Sequence, residues 1–170
     1  SSDVCSSDLA SAAANAGIPA AKVEKYDEEY DVVIIGSGFA GMACALKAGR
    51  AGKKVLMLEK MPVVGGNSAI CGGNVACPVN PVQKAQGIKD SRELFIADCL
   101  KDGLGLNHVE LLSKIVDRCN DTIKFVEDCG AEFVPNHMLF EGGHSVPRSY
   151  EIKAGTGSGY IHPMYDQIKI

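Results

Sequence analysis

Three glycines and one glutamate in the first third of the chain have the types and spacing of a nucleotide-binding site. The glycines are Gly36, Gly38 and Gly41, in the pattern Gly-Ser-Gly-Phe-Ala-Gly. The first permits a tight turn, the second lets backbone amides approach a pyrophosphate, and the third lets a helix pack closely on a strand. The phosphates would then lie at the positive N-terminal end of that helix. The pattern therefore predicts a bound dinucleotide.

The position of Glu59 supports this prediction. It follows the first glycine by about 20 residues and ends the next apolar run of the sequence. A carboxylate at this place can accept hydrogen bonds from the hydroxyls of an adenosine ribose, and it would repel a 2′-phosphate. The alternative is a solvated charge at a strand end, which the placement of the preceding glycines disfavours.

Two strands and one helix are predicted to hold these residues in place. Asp31–Ile35 is a run of mostly β-branched residues, which is typical of a parallel strand buried on both faces. Phe39–Arg50 has helical spacing, and Val55–Leu58 is a second apolar run. A right-handed crossover would place the two strands parallel in one sheet, with the helix across its face. The sequence thus predicts an α/β, Rossmann-like fold.

The later segments predict a loop followed by several helices. Residues 61–86 are rich in Pro and Gly, which indicates a structured binding loop. Asp90–Glu93 resembles a capping box that opens a helix to about Lys101. Asn107, with Glu110 three residues on, predicts a second helix through Ile115 and Val116. Asp121 is expected to cap a third, short helix that ends at Gly130.

The segment that begins at Glu59 distinguishes FAD from NAD as the bound dinucleotide. It reads Glu-Lys-Met-Pro-Val-Val-Gly-Gly-Asn-Ser, ends at Ser68, and is followed by Cys71-Gly-Gly73. This segment resembles the flavin-binding loop of the fumarate reductase and succinate dehydrogenase flavoprotein family, which includes soluble fumarate reductases, urocanate reductases and ketosteroid dehydrogenases. A weaker resemblance continues through residues 142–148 and 155–159 to the last helix. It implies FAD as the cofactor and a GR2-type FAD-binding domain.

The resemblance also implies which residues contact FAD. Consecutive glycines let a loop run against a flat ring system, and Asn and Ser side chains supply neutral hydrogen bonds. The stretch between Asn67 and Gly72 is one residue shorter than in some soluble fumarate reductases. The correspondence of Ser68 and Ala69 with the family's residues is therefore open by one position. The expected cofactor-binding residues are Gly36, Gly38, Phe39, Ala40, Gly41, Glu59, Lys60, Gly66, Asn67, Ser68, Gly72 and Gly73.

No catalytic residue is expected among these 170 residues. Family members transfer hydride between flavin N5 and a carbon of an activated C=C bond. An Arg donates the proton, and His and Arg groups hold the substrate carboxylate, all from the later part of the family's chain. The resemblance implies a substrate that is an α,β-unsaturated acid or related enone, and it leaves the electron donor unknown. His144 and Arg148 are candidates for facing the flavin or substrate, although such loop residues are more often structural or solvated.

Two other functions remain open at this point. An NAD-linked dehydrogenase uses the same glycine pattern, although the Gly-Gly-Asn-Ser loop argues against it. A non-catalytic dinucleotide-binding module would keep the fingerprint and lack the catalytic Arg.

Composition disfavours several other classes of protein. The net charge of −4 argues against a nucleic-acid partner. The seven cysteines include no CxxC pair, so we expect reduced thiols and no zinc or iron–sulfur site. No apolar run approaches the roughly 18 residues that a membrane span needs.

Residues 1–29 are expected to lie outside the FAD-binding domain. Ser1–Leu9 nearly duplicates Ser-Ser-Asp and is interpreted as non-native, adapter-like sequence. Ala10–Ala21 is either an Ala-rich linker or the end of an export signal, so a bacterial cytoplasmic location and an exported one both stay open. Residues 30–170 are expected to be the N-terminal part of the domain, because a helical pattern from about Gly159 reaches Ile170 without a capping signal.

Overall fold

The computed structural model describes residues 25–168. The interpretations of Ser1–Leu9 as adapter-like sequence and of Ala10–Ala21 as a linker or signal remnant lie outside the described residues. The described part is an α/β structure with ten elements. In chain order these are β1 (Val32–Ile35), α1 (Phe39–Arg50), β2 (Val55–Leu58), α2 (Gly66–Ile70), β3 (Val75–Ala76), α3 (Pro81–Ala85), α4 (Arg92–Asp102), α5 (Val109–Asp128), β4 (Ser149–Tyr150) and α6 (Ser158–Ile168).

The predicted β-α-β unit is present with nearly the expected boundaries. Strands β1 and β2 pair in parallel, with Val32 opposite Val55 and Ile35 opposite Leu58. Helix α1 connects them, and Lys47 and Arg50 in its last turn lie near the negative end of the helix dipole. The buried side chains of α1 include Met42 and Leu46.

The expectation that β1 is buried on both faces is wrong for residues 25–168. Only Ile34 of this strand is buried, whereas the side chains of Val33 and Ile35 are 55% and 88% exposed. Within residues 25–168, β1 pairs only with β2, and no described element covers the face of β1 that carries Val33 and Ile35. A continuous β-branched run indicates a strand that can be covered on both faces, and within residues 25–168 only one face of β1 is covered.

The segment predicted as a structured loop, residues 61–86, holds two short helices and one short strand. Helix α3 begins with a capping box: the Asn80 side chain accepts from Gln83 N–H, and the Gln83 side chain accepts from Asn80 N–H. Strand β3 pairs antiparallel with β4, with Val75 opposite Tyr150. The loop is therefore tied to a part of the chain about 75 residues later.

Two of the predicted helix boundaries need correction. Helix α4 is capped by Ser91, whose hydroxyl accepts from Leu94 N–H, so the predicted box from Asp90 to Glu93 is displaced by one residue. The two helices expected from Asn107 and Asp121 are one helix, α5, of 20 residues. Asp121 lies inside α5 and pairs with Arg118 one turn earlier, at 2.7 Å. The predicted left-handed glycine at the helix end is confirmed: α5 ends at Asp128, Cys129 is its C-cap, and Gly130 follows with a φ of 103°.

Two apolar clusters form the core. The first joins α1 to α6 and to the end of α5. The second joins α4 and α5 to β3 and β4. Val75 and Phe133 pack against both clusters, so the core is continuous. Complete burial of a side chain such as Met42 stabilises the fold by about 1.5 to 3 kcal/mol. None of the described helices has the length and apolar character needed to cross a membrane.

Candidate functional site

The turn between β1 and α1 has the geometry that its glycines predict. Gly36 has a φ of 95°, in the left-handed region, and its N–H donates to the Leu58 carbonyl at 2.7 Å. A Cβ on Gly41 would lie 2.0 Å from the Gly36 carbonyl oxygen, so only glycine fits at the third position. Helix α1 then starts at Phe39, with Gly38 as its N-cap.

The N-terminus of α1 is open to solvent. Phe39 and Ala40 are exposed, and no side chain of the N-cap residue covers the helix end. The first amide groups of any helix have no acceptor within the helix and point along its axis. Residues 65–73, which include the short helix α2, are called the second glycine loop. Phe39 N–H donates to Ser68 Oγ at 3.2 Å, so one side chain of the second glycine loop reaches this end. The arrangement suits an anion such as a pyrophosphate.

Ser37 joins the glycine turn to Glu59. The Ser37 side chain is completely buried, and both its N–H and its hydroxyl donate to Glu59 Oε2, at 3.0 and 2.5 Å. Its hydroxyl oxygen also accepts from Gly65 N–H at 2.9 Å. A single side chain therefore connects the glycine turn, the carboxylate and the start of the second glycine loop. Sequence reasoning treated Ser37 only as a variable position of the pattern, because its neighbours become visible only in three dimensions.

The Glu59 carboxylate is held ionised by these donors. The hydrogen bond from the Ser37 hydroxyl is the main cause, with the N–H groups of Met61 and Ser37 adding to it, and together they lower the pKa of Glu59 to about 2. Met61 N–H donates to Glu59 Oε1 at 3.0 Å. Lys60 is exposed beside it. An acceptor at the end of β2 that stays ionised at neutral pH suits the hydroxyls of a ribose.

The second glycine loop is partly packed and partly open. Gly65 and Gly73 are buried with positive φ values of 100° and 73°. A Cβ on Gly65 would meet Ile161 Cγ2 at 2.8 Å. Gly66, Asn67 and Gly72 are exposed, and a Cβ on Gly66 or Gly72 would meet no described atom within 4 Å. The loop thus has a face fixed against α6 and a free face on which a flat ring can lie.

Arg148 and His144 do not face this open surface. Arg148 is completely buried, donates two hydrogen bonds to Asp90 at 2.9 and 3.0 Å, and donates one to Asp98 at 2.6 Å. The His144 ring packs edge-on against Phe95, with centroids 5.6 Å apart. The possibility that Arg148 faces flavin or substrate is therefore wrong for this structure, because both of its carboxylate partners are internal.

Neighbouring hydrogen-bond donors stabilise the charged form of the Asp98 carboxylate. Burial disfavours its charged form, but hydrogen bonds from Ser145 and Arg148 outweigh this effect and leave the pKa of Asp98 below its ordinary value. The Arg148 guanidinium also lies over the Phe95 ring, 4.6 Å from its centroid. These contacts make Arg148 the centre of a structural network.

The described cysteines are all free thiols. Three of them, Cys77, Cys119 and Cys129, are buried in the core. Cys71 is exposed in the second glycine loop, where its thiol donates to the Ser68 carbonyl at 3.3 Å. Within residues 25–168, no group of three or more His, Cys, Asp or Glu side chains is arranged to hold a metal ion.

The β-α-β unit, its glycine turn and the ionised strand-end carboxylate define the class of dinucleotide-binding α/β proteins. Comparison with known proteins narrows this class. Residues 31–169 match the FAD binding domain family, and the chain belongs to that family, among the flavoproteins of the fumarate reductase and succinate dehydrogenase type. FAD is the cofactor of this family, and the open helix end and the ionised Glu59 fit such a group.

Relatives in sequence and structure agree with this assignment. The chain is 41% identical over 146 residues to the acrylate reductase flavoprotein subunit of Shewanella woodyi, covering 85% of this chain and 29% of that protein. It is 38% identical over 133 residues to the urocanate reductase of Eggerthella lenta, covering 78% of this chain and 22% of that protein. The open conformation of a flavocytochrome c3 fumarate reductase superposes with a TM-score of 0.77 at 29% identity, covering 98% of this chain and 28% of that one. The chain thus spans less than a third of the length of these relatives.

Proposed function

We propose that FAD binds across the two glycine segments joined by Ser37. The N-terminus of α1 would bind the pyrophosphate, Glu59 would accept the ribose hydroxyls, and the second loop would lie along the flavin. The bonds from Ser37 to Glu59 and from Gly65 to Ser37 carry this proposal, because they hold both glycine segments in one rigid frame. The residues proposed to contact FAD are Gly36, Gly38, Phe39, Ala40, Gly41, Glu59, Lys60, Gly66, Asn67, Ser68, Gly72 and Gly73.

The whole protein is proposed to reduce an α,β-unsaturated carboxylate or a related enone, or to catalyse the reverse dehydrogenation. Bound FAD would supply hydride transfer through flavin N5. The relatives named for acrylate and urocanate reduction support this class of substrate. Residues 30–170 are proposed to be the N-terminal part of the FAD-binding domain, and their task is to bind and orient the cofactor. The groups that hold substrate and deliver the proton would lie elsewhere in the whole protein.

The cofactor proposal is tested by titrating the whole protein, freed of cofactor, with FAD, NAD and NADP. We expect FAD to bind preferentially, as measured by quenching of flavin fluorescence and by calorimetry. Glu59→Gln should weaken FAD binding because it removes the charged ribose acceptor. Glu132→Gln is the matched control, since Glu132 makes only an exposed ion pair with Lys153 at 2.7 Å. Equal binding of NAD would instead favour an NAD-linked dehydrogenase.

The reaction is tested with a reduced viologen as an artificial electron donor and acrylate, fumarate, urocanate or a cyclic enone as the acceptor. We expect the whole protein to oxidise the viologen in the presence of at least one of these acceptors. Binding of FAD without turnover of any of them would favour the non-catalytic module. The 170-residue chain alone should bind FAD weakly and show no turnover, because one face of β1 is uncovered. Stoichiometric flavin with reductase activity in that chain would contradict this expectation.

A further inference from the structure

The second glycine loop is fastened to α6 at two carbonyl groups. Gly157 N–H donates to the Cys71 carbonyl at 2.8 Å, just before α6 begins. The Tyr160 hydroxyl, in the first turn of α6, donates to the Gly73 carbonyl at 2.5 Å. The two carbonyls flank Gly72, which is exposed. Gly72 lies on the open side of the loop, and the carbonyl groups of both of its neighbours are fixed by hydrogen bonds.

Tyr160 is itself fixed in orientation. Its side chain is 3% exposed, and its ring packs edge-on against Phe39 with centroids 5.6 Å apart. Phe133 packs on it as well, with centroids 6.0 Å apart. Phe39 is the first residue of α1, so Tyr160 contacts both glycine segments. Burial raises the pKa of the Tyr160 phenol well above its ordinary value, and the hydroxyl stays a donor across the physiological range.

Gly73 cannot take up another arrangement easily. It has a φ of 73°, and a Cβ there would lie 2.6 Å from Ile152 Cγ2 and 2.9 Å from the Thr156 carbonyl carbon. Its carbonyl is turned into the protein, where Tyr160 is the group that satisfies it. Without that hydroxyl, the buried Gly73 carbonyl would lose its hydrogen-bond donor. Rotation of the Gly73 peptide towards another donor would then be favoured.

We propose that Tyr160 is a positioning residue for the flavin, holding the Cys71–Gly73 backbone in the conformation that the ring system meets. This inference rests on the proposed FAD site. In this proposal the Tyr160 hydroxyl acts through the Gly73 peptide, to which it donates its hydrogen bond. The polar atom involved is a single phenol oxygen, so its role can be isolated by one substitution.

The test compares Tyr160→Phe with Tyr150→Phe in the whole protein. Tyr150 is also buried and packs on Phe133, but its hydroxyl makes no bond to the glycine loop. We expect Tyr160→Phe to weaken FAD binding by about tenfold and to shift the flavin reduction potential and visible absorption band. Hydrogen exchange of the Gly72–Asn74 amides should also become faster without a matching change in α1. Tyr150→Phe should leave all of these readouts at the wild-type level.

The outcomes separate this inference from the proposed function. If the wild-type protein binds no FAD, the proposed function fails. If the wild type binds FAD and the two variants match in affinity, potential and loop exchange, the positioning role of Tyr160 is overturned. If Tyr160→Phe lowers thermal stability alone, with the spectrum and potential unchanged, its hydroxyl is purely structural and the inference is also overturned.

Discussion

At the scale of single residues, the geometry of the candidate site depends on positions where one added or removed atom would break a close contact or a hydrogen bond. Gly41 allows the helix and the turn to approach closely, and Ser37 supplies three hydrogen bonds with one side chain and its own amide. The glycine was evident from its spacing. The serine was not, because many residue types are found between the first two glycines of such turns, and only the folded position of Glu59 gives it a role.

Gly41→Ala should abolish FAD binding and destabilise the fold by about 3 kcal/mol. The reason is the 2.0 Å approach of a Cβ to the Gly36 carbonyl oxygen. Gly49→Ala is a matched control on the same helix, because a Cβ at Gly49 would meet no described atom within 4 Å. It should stabilise the protein by about 0.5 to 1 kcal/mol through lower backbone entropy in the unfolded chain. Thermal unfolding and FAD titration of both variants test this pair. Similar effects of the two substitutions would contradict the steric explanation.

Glu59 should contribute a stability term that disappears in acid. Its pKa is lowered from 4.5 to about 2, mainly by the Ser37 hydroxyl, so the term is fully present above about pH 4.5 and is lost as the pH falls towards 2. The difference in Tm between wild type and Glu59→Gln should therefore be constant from pH 7 to 5 and should shrink between pH 4.5 and 3. Calorimetry across this range measures it. In a Ser37→Ala background the pKa of Glu59 in the folded protein should lie closer to 4.5, so the difference at neutral pH should be smaller and its loss, still starting near pH 4.5, should be complete at a higher pH. A pH-independent difference would rule out the mechanism.

At the scale of elements, local signals located most helices but misplaced some of their ends. Gly130 follows the end of α5, as its short-range pattern predicts, whereas α4 is capped by Ser91, one residue after the predicted box begins. The interruption expected at Asp121 does not exist, because the apolar residues Val116, Cys119 and Ile123 bury one continuous face of α5. Asp121 resembles a cap in sequence, yet packing of that face decides that the helix continues through it.

Ser91→Ala should destabilise the protein by about 1 kcal/mol, because Leu94 N–H loses its capping acceptor. Asp121→Ala should cost less than about 0.5 kcal/mol, since Asp121 only makes an exposed pair with Arg118 within the helix. Chemical denaturation of the two variants provides the comparison. A loss at Asp121 as large as that at Ser91 would mean that a helix begins at Asp121 after all.

At the scale of the whole molecule, distant segments are joined by buried polar contacts. Arg148 connects Asp90, which precedes α4, with Asp98 inside α4, and Gln83 of α3 donates to Asp90 at 2.8 Å. This network lies against the second core cluster, since the Arg148 guanidinium packs over the ring of Phe95. Removing one partner of a buried ion pair leaves the other charge uncompensated.

Arg148→Met should destabilise the protein by about 3 to 5 kcal/mol, because Asp90 and Asp98 would remain buried without their cation. Arg92→Met is the control: Arg92 pairs with Asp117 at 2.5 Å, but both side chains are about half exposed to solvent. That substitution should cost less than about 1 kcal/mol. Urea denaturation of both variants measures the difference. A small change in the free energy of unfolding for Arg148→Met, together with loss of flavin turnover, would instead indicate that Arg148 faces the flavin or the substrate.

The sequence by itself determined the dinucleotide fingerprint, the β-α-β unit and the FAD-type loop. These follow from short-range rules, since glycine spacing, β-branched runs and strand-end carboxylates have direct conformational meanings. Only the tertiary structure decided that Ser37 bridges Glu59 and Gly65, that Tyr160 reaches Gly73, and that Arg148 is internal. Each of these depends on residues from 22 to 87 positions apart being brought together. Packing of the whole chain produces such contacts, and no local pattern encodes them.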